Sequence, residues 1–212
     1  MPKATGSFRY GPVTVQPRTI APRGYSLIEL TVVVWLVGLI GAVAIPPILA
    51  NLDDLRTAGA VRYMSARLQD ARMEAVTRSA DVALRFTQRD GRYGYAVYVD
   101  GNGDGVRTRD IERGTDRQIQ TPERLADQFA DVDFGTIPGL PAIDPGSPSP
   151  GTDPIKLGSS DILTFSAFGT SSSGSLYIRS RRNAQYAIRV LGATGKTRLL
   201  KFDSRAQRWK PI

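Results

Sequence analysis

A run of residues with side-chain oxygens, alternating with glycine, has the spacing of a cation-binding loop. The run reads Asp100-Gly101-Asn102-Gly103-Asp104-Gly105. Side-chain oxygens occupy alternate positions and glycine stands at the sharp bend, as in calcium-binding loops. The twelfth position of such a loop needs a bidentate acid, and this chain has Ile111 there, between two acids. The candidate calcium ligands are therefore Asp100, Asn102, Asp104, Asp110 and Glu112.

The same run also fits a turn that binds no metal. Asp-Gly and Asn-Gly are frequent in tight hairpin turns, and the run follows a predicted strand. Arg107 and Arg109 add positive charge nearby, which opposes a cation. Both interpretations remain open from the sequence, and calcium is the only cofactor that it suggests.

Two basic residues near the C-terminus have a spacing that suits contacts to phosphate groups. Lys196 and Arg198 are two positions apart, so both side chains point the same way in an extended segment, and Gly195 beside them lets the backbone approach a phosphate. Phosphate contacts of this kind do not depend on the base sequence of a nucleic acid. Three arginines near the end of a preceding predicted strand could extend the patch: Arg179, Arg181 and Arg182. The alternative is a solvated hairpin tip.

One carboxylate lies within an otherwise apolar segment. Residues 27–45 form an apolar run in which Glu29 is the only charge. A helix of this length measures roughly 28 Å, close to the thickness of the hydrocarbon core of a bilayer. The run therefore predicts a transmembrane helix. An ionised carboxylate inside a membrane costs several kcal/mol, and a disposable signal segment would have no reason to carry one.

The charges around the apolar run predict its direction. The chain has a formal charge of +8. Half of that charge comes from basic residues before the run, where there is no acid: Lys3, Arg9, Arg18 and Arg23. Asp53 and Asp54 follow the run, so the N-terminus is expected in the cytoplasm and the later residues outside the inner membrane. An ordinary signal peptide cleaved near residues 42–44 is the alternative.

The composition argues against catalysis. The 212 residues include no cysteine and no histidine. Disulfides, cysteine nucleophiles and the commonest general base are therefore missing. The motifs of serine hydrolases and zinc proteases are also missing. We expect no enzymatic activity.

The start of the apolar run resembles a known processing signal. Residues 23–30 read Arg-Gly-Tyr-Ser-Leu-Ile-Glu-Leu and resemble the signal of type IV prepilins, with Tyr25 where phenylalanine is usual and with a long leader. The resemblance implies that a membrane prepilin peptidase cuts after Gly24 and that Tyr25 is then methylated on its amine. It also implies that Glu29 pairs with the N-terminal amine of a neighbouring subunit in a filament.

The helical pattern continues beyond the apolar run. Pro46 and Pro47 lie just past it, so a kink or local melting is expected there. Apolar residues then recur at three- and four-residue spacing to about Ser79. This spacing predicts an amphipathic helix over 51–80 with one face on a globular head.

After residue 80 the pattern alternates as in β-strands. The predicted strands are 82–86, 93–99, 162–168, 175–179, 185–191 and 197–202, with a turn at Asp90-Gly91. The expected fold class is α+β, a long membrane-spanning N-terminal helix packed on an antiparallel β head. Residues 135–160 contain six prolines and are expected to form a long, exposed and mobile loop that buries little.

A second resemblance lies in the head. Residues 165–178 read Phe-Ser-Ala-Phe-Gly-Thr-Ser-Ser-Ser-Gly-Ser-Leu-Tyr-Ile and are similar to a glycine-containing pattern of the GspH/FimT pseudopilin family. Residues 186–198, ending in Gly-Lys-Thr-Arg, are similar to that family's closing hairpin, with Lys196 where the family has arginine. The implied organisation is a leader at 1–24, a transmembrane helix at 25–50, its continuation over 51–80 and a β-rich head at 81–212.

This resemblance implies a minor pseudopilin, a structural subunit of a type II secretion pseudopilus involved in protein secretion. The alternative is a FimT-like minor pilin of a type IV pilus that binds DNA for uptake, and this resemblance implies Lys196 and Arg198 as the DNA contacts. Either protein would lie in the bacterial inner membrane, with its head in the periplasm. Its partners would be other pilin or pseudopilin subunits, the prepilin peptidase and the membrane.

Overall fold

The computed structural model describes Gly11 and residues 24–212. The predicted leader, 1–24, lies outside the described residues except for Gly11 and Gly24. The chain divides into two compact units, the first ending at Ala44 and the second running from Ile45 to Ile212.

The first helix, α1, runs from Leu27 to Arg78 and continues through the boundary between the units. In the first unit its large apolar side chains are exposed, and Trp35 is 82% exposed. Among the described residues, α1 is the one helix that is long and apolar enough to cross a membrane. The expectation of one long apolar N-terminal helix is confirmed.

The prolines do not end the helix. Pro46 and Pro47 both lie inside α1, which is continuous through them, so the local melting expected at this point is not found. Each proline removes one amide donor from the helix, and the hydrogen bonding resumes directly after the pair.

In the second unit, α1 buries one face. Val61, Met64 and Leu68 are fully buried, whereas Arg56 and Arg62 are exposed. The helix ends at Arg78, and Ser79 follows with φ at 52°. The apolar spacing therefore predicted the buried face from Val61 onward and the end of this helix, but Leu52 and Leu55, which belong to the same spacing, are exposed.

The first sheet has four antiparallel strands in the order β3-β2-β1-β6. Their bounds are β1 Val82–Arg89, β2 Arg92–Val99, β3 Arg117–Gln118 and β6 Ile162–Phe165. The predicted turn at Asp90-Gly91 joins β1 to β2, and both residues have positive φ, 53° and 74°. Positive φ at both central positions is the geometry of a tight hairpin turn.

The second sheet contains the remaining strands. Their bounds are β4 Val132–Phe134, β5 Ile155–Lys156, β7 Gly174–Ser180, β8 Gln185–Leu191, β9 Lys196–Asp203 and β10 Arg208–Pro211. The order is β10-β9-β8-β7-β4, and β5 pairs with β7. Two short helices connect strands, α2 Thr108–Arg113 and α3 Leu125–Gln128. Helix and antiparallel sheets together confirm the α+β class.

The strand predicted over 162–168 is too long. β6 ends at Phe165, and Gly169 then adopts a φ of 80° in a turn. Phe168 within this turn is 94% exposed. Apolar Phe168 extended the alternating pattern, but the pairing ends at Phe165, whose partner Val82 is the first residue of β1.

The expectation for the proline-rich segment is wrong with respect to burial. Leu140, Ile155 and Leu157 are all buried. Leu140 packs with Tyr177, Leu200 and Phe202 of the second sheet in a small apolar cluster. The face of β7, β8 and β9 that carries this cluster is opposite the face packed on α1, because side chains alternate along a strand. We call the segment 135–154 the loop cover.

Candidate functional site

The residues of the predicted processing signal lie at the start of α1. Gly24 and Tyr25 precede the helix, and Tyr25 is 84% exposed. The Leu30 amide donates to the carbonyl of Ser26 at 3.1 Å, so helical hydrogen bonding begins just after the predicted cleavage bond. Glu29 lies in the first turn of α1 and is exposed, where a negative charge also suits the helix dipole. These groups are therefore accessible.

Two aspartates tie α1 to the second sheet, a role that sequence reasoning missed. Asp53 is buried, and its carboxylate accepts the hydroxyl of Ser180 at the end of β7. Asp54 accepts the Tyr186 hydroxyl at 3.0 Å and the Lys201 ammonium at 2.7 Å. Burial and the bond to Asp54 raise the pKa of Tyr186, so the phenol stays a donor. No local pattern shows this, since 147 positions separate Asp54 from Lys201.

The candidate calcium loop is folded around the Asp100 carboxylate. One oxygen accepts the amides of Asn102 and Gly103, at 2.9 and 2.8 Å, and the other accepts the amide of Gly105 at 2.8 Å. Burial opposes ionisation, but these bonds outweigh it and lower the pKa of Asp100. Asp104 pairs with Arg107 at 2.8 Å. Backbone amides and one arginine thus take the contacts that a cation would otherwise make.

The two other acids proposed as ligands lie in different surroundings. Asp110 is buried in α2, and its Oδ2 has no hydrogen-bond partner among the described residues. The Glu112 side chain is 66% exposed and lies 3.9 Å from Arg85. Nowhere in residues 24–212 do three or more acidic side chains come together as a group that could hold a metal ion. The five proposed ligands are therefore divided among a loop, a buried helix position and a surface ion pair.

The proposed DNA contacts lie at the start of β9. Lys196 and Arg198 are both exposed and occupy alternate positions of the strand, which places them on one face, as predicted. Arg198 pairs in register with Arg189 of β8. Asp144 of the loop cover reaches both arginines, at 2.7 Å from Arg189 and 3.8 Å from Arg198. Part of the positive charge at this site is therefore neutralised.

The arginines proposed to extend that patch are elsewhere. Arg179 and Arg181 lie at or just beyond the end of β7, before β8 begins, whereas Lys196 follows the other end of β8. The seven residues of β8 separate the two groups, which is about 20 Å in an antiparallel strand. The Arg179 guanidinium instead donates to the carbonyl of Thr136 in the loop cover at 3.2 Å. The prediction of one continuous basic patch is wrong. The strand β8 lies between Arg181 and Lys196 in the chain and places them at opposite ends of the hairpin.

Gly169 and Gly195 both lie against one arginine of α1. The Arg72 Nε donates to the Gly169 carbonyl at 3.3 Å. A Cβ atom on Gly195 would lie 2.7 Å from that carbonyl oxygen and 3.1 Å from Arg72 Nε. Both glycines have positive φ, 80° and 61°. The turn before Lys196 is therefore closely packed. This packing explains why residue 195 is a glycine, since a side chain there would collide with the Gly169 carbonyl.

A charged cluster around Glu123 was also missed by sequence reasoning. Glu123 accepts the hydroxyls of Tyr63 and Tyr95, each at 2.7 Å, and pairs with Arg67 of α1. Burial raises the pKa of Glu123, but the two hydroxyls and the arginine outweigh it, and the pKa lies below its ordinary value. The cluster links α1 to β2 through residues far apart in the chain, so no local spacing reveals it.

Comparison with family models, with curated proteins and with solved structures finds no match to this chain.

Proposed function

We propose that this chain is a minor pseudopilin of the GspH/FimT kind, a structural subunit of a type II secretion pseudopilus. The observation that carries the proposal is the division of α1. Its first part exposes apolar side chains around a single acid, Glu29, and its second part forms a wall of the core of the second unit. One helix of this kind would anchor the subunit in the inner membrane and, after assembly, pack against neighbouring helices.

The proposed role of Glu29 follows from charge pairing. Cleavage after Gly24 would create a positive amine on Tyr25, four residues from Glu29. In an apolar environment two unpaired charges are costly, whereas a pair between adjacent subunits offsets much of that cost. Glu29 would thus fix the register of each subunit on its neighbour. No catalysis by this chain is part of the proposal.

Two measurements test the proposal. The intact mass of membrane-extracted protein should correspond to a chain beginning at Tyr25 with one added methyl group. A mature chain beginning near residue 45 would contradict the proposal. Because the chain has no cysteine, single engineered cysteines can report crosslinking into the filament.

In that crosslinking assay, Glu29→Ala should insert into the membrane but crosslink several-fold less. Glu74→Ala is the matched control, since Glu74 is a partly exposed acid on the same helix and pairs with Arg78 at 2.6 Å. Equal crosslinking by the two variants would contradict the role of Glu29.

A FimT-like minor pilin that binds DNA is the second candidate. Lys196 and Arg198, exposed on one face of β9, favour it. Membrane anchoring and processing would be the same for both candidates, so only DNA binding separates them.

A further inference from the structure

The turn between β7 and β8 carries a group of arginines beside α1. Arg181 and Arg182 line a cavity of about 330 Å³ together with Arg56 of α1. The other lining residues are Leu49, Leu52, Asp53 and Asp131. We call this group the basic cavity.

The charge of the basic cavity is positive. Asp53 is buried and already accepts the Ser180 hydroxyl. Asp131 lies 3.9 Å from Arg181, whose side chain is 82% exposed. Within the described part of the chain, no acidic side chain forms a salt bridge with Arg56 or Arg182. Three guanidinium groups therefore face two carboxylates, of which only Asp131 is exposed, so the lining keeps a net positive charge that favours an anion.

The position of the cavity along α1 indicates the source of that anion. Leu49 and Leu52, both about two-fifths exposed, lie four and seven residues beyond the apolar run that ends at residue 45. That is about 6 to 10 Å of helix. The headgroup region of a bilayer adds roughly 5 to 8 Å to each side of the hydrocarbon core. Given the membrane anchoring of the proposed function, the cavity lies at headgroup depth.

We propose that the basic cavity binds the phosphate headgroup of an anionic phospholipid on the outer side of the inner membrane. Guanidinium groups bind phosphate oxygens through paired hydrogen bonds, and the two leucines provide an apolar surface for the start of the acyl chains. Binding here orients the second unit on the membrane before the subunit is assembled. The inference rests on the membrane anchoring of the proposed function, and it assigns a lipid class that the proposed function does not include.

The test uses the full chain in nanodiscs of phosphatidylcholine alone or mixed equally with phosphatidylglycerol. After gentle detergent extraction, native mass spectrometry counts the lipids that remain bound. The wild-type chain should retain phosphatidylglycerol in preference to phosphatidylcholine. In an Arg181→Gln/Arg182→Gln variant, the ratio of retained phosphatidylglycerol to phosphatidylcholine should fall about fivefold for each arginine removed. Each basic residue near an anionic surface contributes about that factor.

A matched control removes the same charge at the other end of β8. Lys196→Gln/Arg198→Gln should leave lipid retention unchanged, and thermal melts of both variants should match wild type.

Added inorganic phosphate should displace the lipid only weakly, which separates a lipid site from a free-phosphate site. Full displacement by phosphate would overturn the lipid assignment. Equal retention of the two lipids, or equal loss in both variants, would overturn the inference while leaving the membrane anchor intact. Failure of the chain to insert at all would overturn the inference and the proposed function together.

Discussion

At the scale of single residues, acids of this chain serve mainly as anchors inside the fold. Asp54 accepts bonds from Tyr186 and Lys201, Glu123 accepts bonds from two tyrosines, and Asp100 accepts three amides of its own loop. Each acid would be costly if its partners were removed, because a half-buried carboxylate would lose its hydrogen bonds. These hydrogen bonds give each of the three acids a role in the stability of the fold.

The Glu123 cluster predicts how stability depends on pH. The pKa of Glu123 in the folded chain lies below its ordinary value of 4.5, so its contribution is present above about that pH and is lost as pH falls through the lower, folded value. Glu123→Gln removes this acid-sensitive contribution. We expect it to lower stability by about 1 to 2 kcal/mol at neutral pH and to flatten the decline below pH 4.5. Thermal melts of the full chain in detergent, from neutral to acidic pH, measure both effects.

Glu74→Gln is the control for that experiment, since Glu74 is partly exposed and its salt bridge within residues 24–212 is with Arg78 on its own helix. Surface pairs of this kind contribute little, so its melts should follow wild type at every pH. A Glu123→Gln variant with the wild-type acid profile would contradict the assignment.

For the candidate calcium loop we predict a turn without metal. Arg107 holds Asp104, and three amides hold Asp100, so a cation would have to displace contacts that already satisfy both carboxylates. Calorimetric titration of the full chain with millimolar calcium should give no binding heat and no rise in melting temperature. A calcium-dependent rise that Asp104→Asn abolishes, and that Asp70→Asn on α1 does not, would establish a calcium site instead.

At the scale of elements, the loop cover packs on the second sheet, although its composition resembles that of an exposed linker. It contributes Leu140 to an apolar cluster on the outer face of the second sheet. Trp209 of β10 joins this cluster, with ring centroids 5.9 Å from Tyr177 and 5.3 Å from Phe202. The indole Nε1 donates to the carbonyl of Pro141 at 3.0 Å. A segment that looks like a linker therefore closes a second, smaller core.

Trp209→Ala should open this cover. Loss of the ring contacts and of the indole hydrogen bond should lower stability by about 2 to 3 kcal/mol and should increase proteolysis and amide exchange within residues 135–154. The neighbouring Lys210→Ala removes a half-exposed side chain of the same strand and is the matched control. Unchanged protection of the cover in Trp209→Ala would show that the proline-rich segment is held by other contacts.

The elements also show what can be predicted from sequence. Residues 82–99 were predictable because Val82, Leu84 and Phe86 recur at every second position of β1, and because Asp90-Gly91 marks the turn before β2. β3 and β5 have two residues each, too few to form a pattern. The loop cover has no period at all, and its buried residues are recognised only once the sheet beneath it exists. Roles that depend on distant partners, such as those of Asp54 and Glu123, leave no local signal for the same reason.

At the scale of the whole molecule, the basic residues fall into separate groups. Residues 25–212 contain 24 basic and 20 acidic residues, so the net charge after cleavage would be small. The basic cavity and the pair Lys196 and Arg198 lie at opposite ends of β8. The two basic groups can therefore be changed independently of each other.

This separation gives a direct test of DNA binding. In gel-shift titrations of the full chain in neutral detergent with duplex DNA, binding should be weak, because Asp144 neutralises part of the charge near Arg198. Binding should also weaken as salt rises, because phosphate contacts release counterions. Lys196→Gln/Arg198→Gln removes up to two phosphate contacts, so the slope of log K against log salt should decrease by about 2. Arg181→Gln/Arg182→Gln removes the same charge at the other end of β8 and should leave the slope unchanged. If both variants weaken binding equally, the attraction comes from overall charge, and if wild type does not bind at low salt, the FimT-like candidate fails while the pseudopilin proposal remains.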